Sequence, residues 1–177
     1  MNKKILQIIV PIAMVGVVAC IWYTQDQTEK ASIAKQESIV YESPDFSLHT
    51  SNVDLEKLTI HNLPIIIDFG ADECAPCKAM APVLDKVNAD MQGKAIIKFV
   101  DVWKYPKGAY GFPIQVIPTQ LIFNADGTPY VPSEDVAAIL KFDNYANKTT
   151  KDHMYTVHVG GLTEEQMRAI LSDMGVS

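Results

Sequence analysis

The sequence predicts an α/β fold, a central mixed sheet flanked by helices, with an N-terminal membrane anchor and an insertion before the last strand. Three observations point there. Two nearly continuous apolar runs rich in β-branched residues, at 63–70 and 95–102, read as strands buried on both faces. Between them Met80, Val83, Leu84, Val87 and Met91 recur at three- and four-residue spacings, the mark of an amphipathic helix ending near Gly93. One right-handed crossover then sets the two strands parallel.

The remaining elements follow in order. Thr119-Gln120-Leu121-Ile122-Phe123 before Asn124-Ala125-Asp126-Gly127 reads as a strand entering a hairpin turn. Tyr155, Val157 and Val159 alternate with Thr156 and His158 in a return strand that Gly160-Gly161 breaks. A helix at 162–174 closes the chain, with Thr163 as N-cap and Gln166 three positions on, the capping-box spacing. The stretch at 128–154 is too long for a simple hairpin and reads as the insertion, with Ser133 capping a short helix through Val136, Ala137, Ile139 and Leu140.

Lys3-Lys4 precede 19 uncharged residues at 5–23, interrupted strongly only by Gln7. A helix of that length rises about 28 Å, close to the ~30 Å hydrocarbon layer of a bilayer. Lysines before the run and none directly after it orient the rest of the chain away from the cytoplasm, as in a bacterial cell envelope. Val17-Val18-Ala19-Cys20 also resembles a lipoprotein cleavage box, which would lipidate Cys20, and a cleaved secretory signal is a third reading; Ile21, Trp22 and Tyr23 favour the uncleaved anchor. Residues 24–43 are polar and read as a stalk, or alternatively as a surface helix using Ile33, Ile39 and Val40, which leaves 44–177 as the folded domain. The net charge of -6 becomes -8 without Lys3 and Lys4, because 13 basic residues then face 21 acidic ones. Such a surface repels phosphate backbones and excludes nucleic acid as a partner.

The candidate chemistry lies between the first strand and its helix. Cys74-Ala75-Pro76-Cys77-Lys78 puts two thiols at a helix start, where unpaired N–H groups and a partial positive charge favour the thiolate of Cys74. Cys77, one turn further in, is placed to attack a mixed disulfide formed at Cys74. Half a zinc site and an inert disulfide are the competing readings. Zinc wants four ligands, and His49, His61, His153 and His158 show no paired spacing, so no metal is expected. Asp68, in an otherwise apolar strand, is expensive to bury unless protonated, paired or hydrated; its alternative is a strand-end residue in solvent.

These residues carry a resemblance. Ile66-Ile67-Asp68-Phe69 before Cys74-Ala75-Pro76-Cys77-Lys78, Ala81-Pro82 in the following helix and Ile117-Pro118-Thr119 before a strand resemble the thioredoxin family, over roughly 44–177 apart from the insertion. The resemblance implies the thioredoxin fold and a redox-active disulfide Cys74–Cys77 with no other cofactor. It further implies that Asp68 is the buried acid that exchanges the proton of Cys77, with Lys98 nearby. Pro118 would be a cis proline against the cysteines, Ile117 would pair with an extended substrate peptide, and Gly160 would leave room for substrate backbone. Without the resemblance Pro118 is merely a proline before a strand.

Departures from the family pattern stand beside these matches. Gly70 and Glu73 occupy positions of the usual tryptophans and Ala75 that of a glycine, so the familiar aromatic docking surface is missing. Asp72 and Glu73 place negative charge beside Cys74, which opposes the thiolate and biases the pair toward reducing its substrates. No strand-linked Gly-x-Gly-x-x-Gly is present, so electrons must come from a separate donor, expected to be a membrane electron carrier. The function expected is an extracytoplasmic protein-disulfide reductase acting on exported proteins, with apocytochromes as possible clients. The alternatives are an oxidase or isomerase with the same site, or a non-catalytic binding module.

Overall fold

A computed structural model describes residue 22 and residues 43–177. The expected anchor at 5–23, apart from Trp22, and nearly all of the expected stalk lie outside the described residues. Among the described residues no helix is long and apolar enough to cross a membrane.

After a 3-10 turn at Pro44–Phe46, a six-stranded sheet organises the described domain in the order β1-β3-β2-β4-β6-β5. Its strands are β1 (His49–Thr50), β2 (Ile65–Gly70), β3 (Ile96–Asp101), β4 (Thr119–Phe123), β5 (Asp143–Ala146) and β6 (His153–Val159). β1, β3 and β2 run parallel, whereas β4, β6 and β5 add on antiparallel. Every residue of β2, β3 and β4 is buried, which is why these strands read as unbroken apolar runs rather than alternating ones.

Among residues 43–177 the α-helices are α1 (Leu55–Thr59), α2 (Ala75–Asp90), α3 (Glu134–Ile139) and α4 (Glu164–Asp173). Met80, Leu84 and Val87 of α2 and Met167, Ile170 and Leu171 of α4 share a core with Ile66, Ile97, Phe99 and Ile122 of one sheet face. α2 contains Pro82 and begins at Cys74, its N-cap. α4 starts in the expected capping box: Gln166 N–H donates to Thr163 Oγ1 and Thr163 N–H to Gln166 Oε1. On the opposite face Phe69, Phe112, Tyr155 and Phe123 form a chain of edge and tilted ring contacts, with centroids 5.2, 5.9 and 6.2 Å apart.

One expectation is corrected here, that of the insertion as an excursion outside the sheet. The turn after β4 forms, with Gly127 at φ 81° and its N–H on Asn124 O, but the chain returns for one isolated bridge only, Phe123 with Pro129. Pro129 and Pro132 lack the N–H groups a ladder needs, and the neighbour of β4 is β6, the return strand expected at 155–159. The stretch at 128–154 therefore does more than carry the short helix capped by Ser133. It supplies β5 as a new sheet edge and the start of β6, two residues earlier than expected. Asp143-Asn144-Tyr145-Ala146 is poor in strand-favouring residues and mostly exposed, so periodicity could not reveal it.

The same added elements brace the loop before the second site motif. Tyr155 donates its hydroxyl to Gly111 O at 3.1 Å, and Gln115 Nε2 donates to Tyr145 Oη at 3.3 Å.

Candidate active site

β2 delivers the chain to the sheet end and α2 carries it away, so the turn between them holds Cys74 at the helix N-cap with extended backbone (φ -78°, ψ 122°). Cys74 N–H donates to Ala71 O and Lys78 N–H to Cys74 O. No side-chain cap occupies the helix start, and Pro76 lacks a donor where no intrahelical bond would be made. The Cys74 sulfur thus sits at the helix start, beside its remaining free N–H groups.

The two thiols are adjacent, with Cys77 Sγ donating to Cys74 Sγ at 2.6 Å. Both are largely buried, Cys74 at 9% exposure and Cys77 at 4%, so the first is the more accessible sulfur. They pack in a small apolar cluster with Ala71 and Ile117. Burial, then the hydrogen bond and charge of Cys74 and the charge of Asp68, push the Cys77 thiol up to about 12. At neutral pH Cys77 therefore holds its proton and needs a base before it can attack.

The Ile117–Pro118 peptide is cis, as the resemblance implied. Gly160 N–H donates to Pro118 O at 3.0 Å, tying the start of the last loop to this peptide. Gly160 takes φ 113°, and nothing lies within 4 Å of where a Cβ would project. Ile117 thus packs against the cysteines, and Gly160 is tied to the adjoining Pro118, with open space at the glycine.

Asp68 is fully buried in the middle of β2, which overturns the reading of a solvent-exposed strand end. Its Oδ1 accepts from Gln120 Nε2 at 2.5 Å, while Oδ2 has no partner among the described residues. Burial raises its pKa to about 7 against the lowering effect of that hydrogen bond. A Cβ built on Gly70 would lie 3.2 Å from Asp68 Oδ2, 3.3 Å from Cys77 Sγ and 2.7 Å from the Phe99 ring. The acid, the inner thiol and the Phe99 ring therefore converge on one close-packed spot that leaves no room for a side chain at residue 70.

Lys98 is not near Asp68. It pairs with Ile67, one position off the register of Asp68 with Phe99, so its side chain leaves the other sheet face. There Nζ donates to Pro44 O at 2.9 Å and Ser47 O at 2.6 Å, and burial lowers its pKa to about 8.

The acidic residues beside Cys74 are also paired. Lys104 bridges to Asp72 and, at 3.6 Å, to Asp101, while Lys78 reaches Glu73 at 3.4 Å. Burial opposes the charge of Asp101, but the N–H groups of Lys104, Asp72 and Trp103 hold its carboxyl below the usual range. Negative charge near Cys74 is thus partly answered by lysines, which weakens the bias toward reduction expected from Asp72 and Glu73. Gln120, Asp101 and Lys104 escaped sequence reasoning. A glutamine inside an apolar strand is the same kind of signal as Asp68 and could have marked the first; the other two depend on a loop path that no periodicity encodes. Exposed Trp103, Tyr105 and Tyr110 lie in this loop as well.

Among the described residues no three His, Cys, Asp or Glu side chains gather as a metal set. His61 meets Asp45, and His158 meets Lys141 O.

A helix-start dithiol over a buried acid and beside a cis proline defines a protein of thiol–disulfide chemistry. The thioredoxin family model matches residues 46–151. Thioredoxins of Staphylococcus aureus strains MW2 and COL are each 40% identical over 81 residues, covering 42% of this chain and 77% of the relative. The chain belongs to the thioredoxin family, and the general activity that goes with it is thiol–disulfide oxidoreduction.

The raised acid has a consequence for stability. Asp68 binds its proton more tightly folded than unfolded, where the ordinary value is 3.8. Between pH 4 and about 7 the unfolded chain has lost that proton and the folded one keeps it, so stability falls as pH rises through this window. Urea unfolding of the reduced protein should show the fall, and Asp68→Asn should remove most of it; an unchanged slope in the variant would assign the effect elsewhere.

Proposed function

We propose that the chain is a protein-disulfide reductase, held on the outer side of a membrane through residues 5–23 and acting on disulfides of exported proteins. The observation that carries the reductase reading is the pairing of Cys74, on the helix start, with a Cys77 thiol that is kept protonated above a base ionising near neutrality.

The steps follow from that arrangement. Cys74 thiolate attacks one sulfur of the substrate disulfide, and the other substrate sulfur leaves as a thiolate and takes a proton. Asp68 then accepts the Cys77 proton as general base. Cys77 attacks Cys74 Sγ, the Cys74–substrate bond breaks, and the second substrate sulfur leaves with its electron pair. The substrate gains two electrons and the enzyme ends as the Cys74–Cys77 disulfide. Ile117 and Gly160 line the place where an extended substrate backbone would lie.

The high Cys77 value supports the reductive direction, because a reduced form that gains nothing from a second thiolate gives up its electrons more readily. Turnover requires a donor. The chain has no dinucleotide-binding glycine motif, which supports a separate membrane electron carrier; apocytochromes are among the candidate clients.

Incubated with an oxidised disulfide protein such as insulin, Cys77→Ser should accumulate a mixed disulfide through Cys74, and Cys74→Ser should form none and lose reductase activity. Trapping at neither cysteine would refute the exchange mechanism for this chain. Location has its own test: a membrane-impermeant thiol reagent should label Cys74 in intact cells. Labelling only after lysis would place the domain inside and remove exported proteins as clients.

A further inference from the structure

We propose that Gln120 is a positioning residue for the acid under the cysteine pair: its amide ties down Asp68 Oδ1, so that Oδ2 is the oxygen left to take the proton of Cys77. The inference rests on the reading of Asp68 as the base for Cys77, and names what aims it.

The geometry is specific. Asp68 and Gln120 are register partners across β2 and β4, both fully buried, and Gln120 Nε2 donates to Oδ1 at 2.5 Å. The same nitrogen lies 3.6 Å from Met80 Sδ, which also accepts Leu162 N–H, so the amide is held from the α2 side as well. Oδ2, without a partner among the described residues, lies against Gly70, which Cys77 Sγ also borders. A lone buried carboxyl can rotate and present either oxygen; one occupied oxygen fixes the other.

The surroundings leave little else to set this orientation. α2 supplies Cys77, with Cys74 beyond it, and Met80; β3 supplies Phe99; β4 supplies Gln120. His158 of β6 is the register partner of Gln120, but its Nδ1 is taken by Lys141 O. Lys98 is committed to Pro44 and Ser47 on the opposite face. Among the described residues Gln120 is thus the only hydrogen-bonding side chain on the carboxyl.

In the resolving step the Cys77 S–H bond breaks and its proton passes to Asp68 Oδ2. The Cys77–Cys74 bond forms as the Cys74–substrate bond breaks, and the electron pair leaves on the substrate sulfur. An N–H donor on Oδ1 also stabilises the carboxylate, so its removal should favour the protonated, inactive acid.

The test follows release of substrate from the Cys74 mixed disulfide between pH 5 and 10 in the full chain, in wild type, Gln120→Met, Asp68→Asn and the double variant. The inflection that Asp68→Asn abolishes should move up by about one pH unit in Gln120→Met, as expected for loss of one charge-assisted hydrogen bond. Release should then be about tenfold slower below the inflection, stay slower above it because Oδ2 is no longer held toward Cys77, and be insensitive to residue 120 once Asp68 is gone. A uniform slowing at every pH, equal in the Asp68→Asn background, would make Gln120 a packing residue and overturn the proposal. If Asp68→Asn leaves the profile intact, the base assignment itself falls and the proposal with it. Should Gln120→Met fail to fold, the wild-type protein still decides. The side-chain amide resonances of Gln120 should titrate with Asp68 near pH 7, and a flat response would refute the contact.

Discussion

A carboxyl group sits in the middle of the central strand with no cation beside it, and its burial constrains what surrounds it. Asp68 is closed in by β3 and β4 on either side and by α2 above. An ionised group in such a place is costly unless something shares its charge or proton. Among the described residues the compensation is one amide, from Gln120, while the Cys77 thiol lies close by without bonding the carboxyl. The result is an acid moved from the ordinary carboxylate range to neutrality, directly beneath a thiol moved the other way from reactivity. Neither group is well suited to its position alone. Together they meet at Gly70, which is the arrangement the proposed proton transfer uses.

The two sulfurs divide the work through the same architecture. Cys74 caps α2 and meets the positive end of the helix, whereas Cys77 lies one turn deeper against the sheet. Around them, charges that sequence alone would count as a repulsive cluster are paired: Asp72 and Asp101 with Lys104, Glu73 with Lys78. Such exposed pairs contribute little stability but reduce the field felt at Cys74. The loop bearing Ile117 and Pro118 is held from behind by Tyr145 and Tyr155 of the added strand pair, so the insertion contributes to the site without entering it.

Much of this was readable in the residues. The apolar runs of β2, β3 and β4, the amphipathic α2 and the Thr163–Gln166 cap appear as expected because burial and capping leave local signatures. The cysteine spacing and the proline after Ile117 could be recognised because their chemistry needs fixed residue types at fixed places. Register was not readable. Whether Lys98 or Gln120 faces Asp68 is decided by a one-residue alternation across two strand pairs, and the sequence analysis chose the lysine. β5 is not legible because its polar residues obey no strand period, whereas the return strand read at 155–159 is the neighbour that β4 has in the sheet.

The central claim is that this dithiol, governed by a buried acid and an inner thiol held protonated, gives electrons to its substrates. The reduction potential of the Cys74–Cys77 pair, equilibrated in the full chain against glutathione or dithiothreitol at pH 7, tests it most directly. A value near that of thioredoxin, about -270 mV or lower, is the expected result; one near about -120 to -180 mV would contradict it and mark an oxidase or isomerase built on the same site.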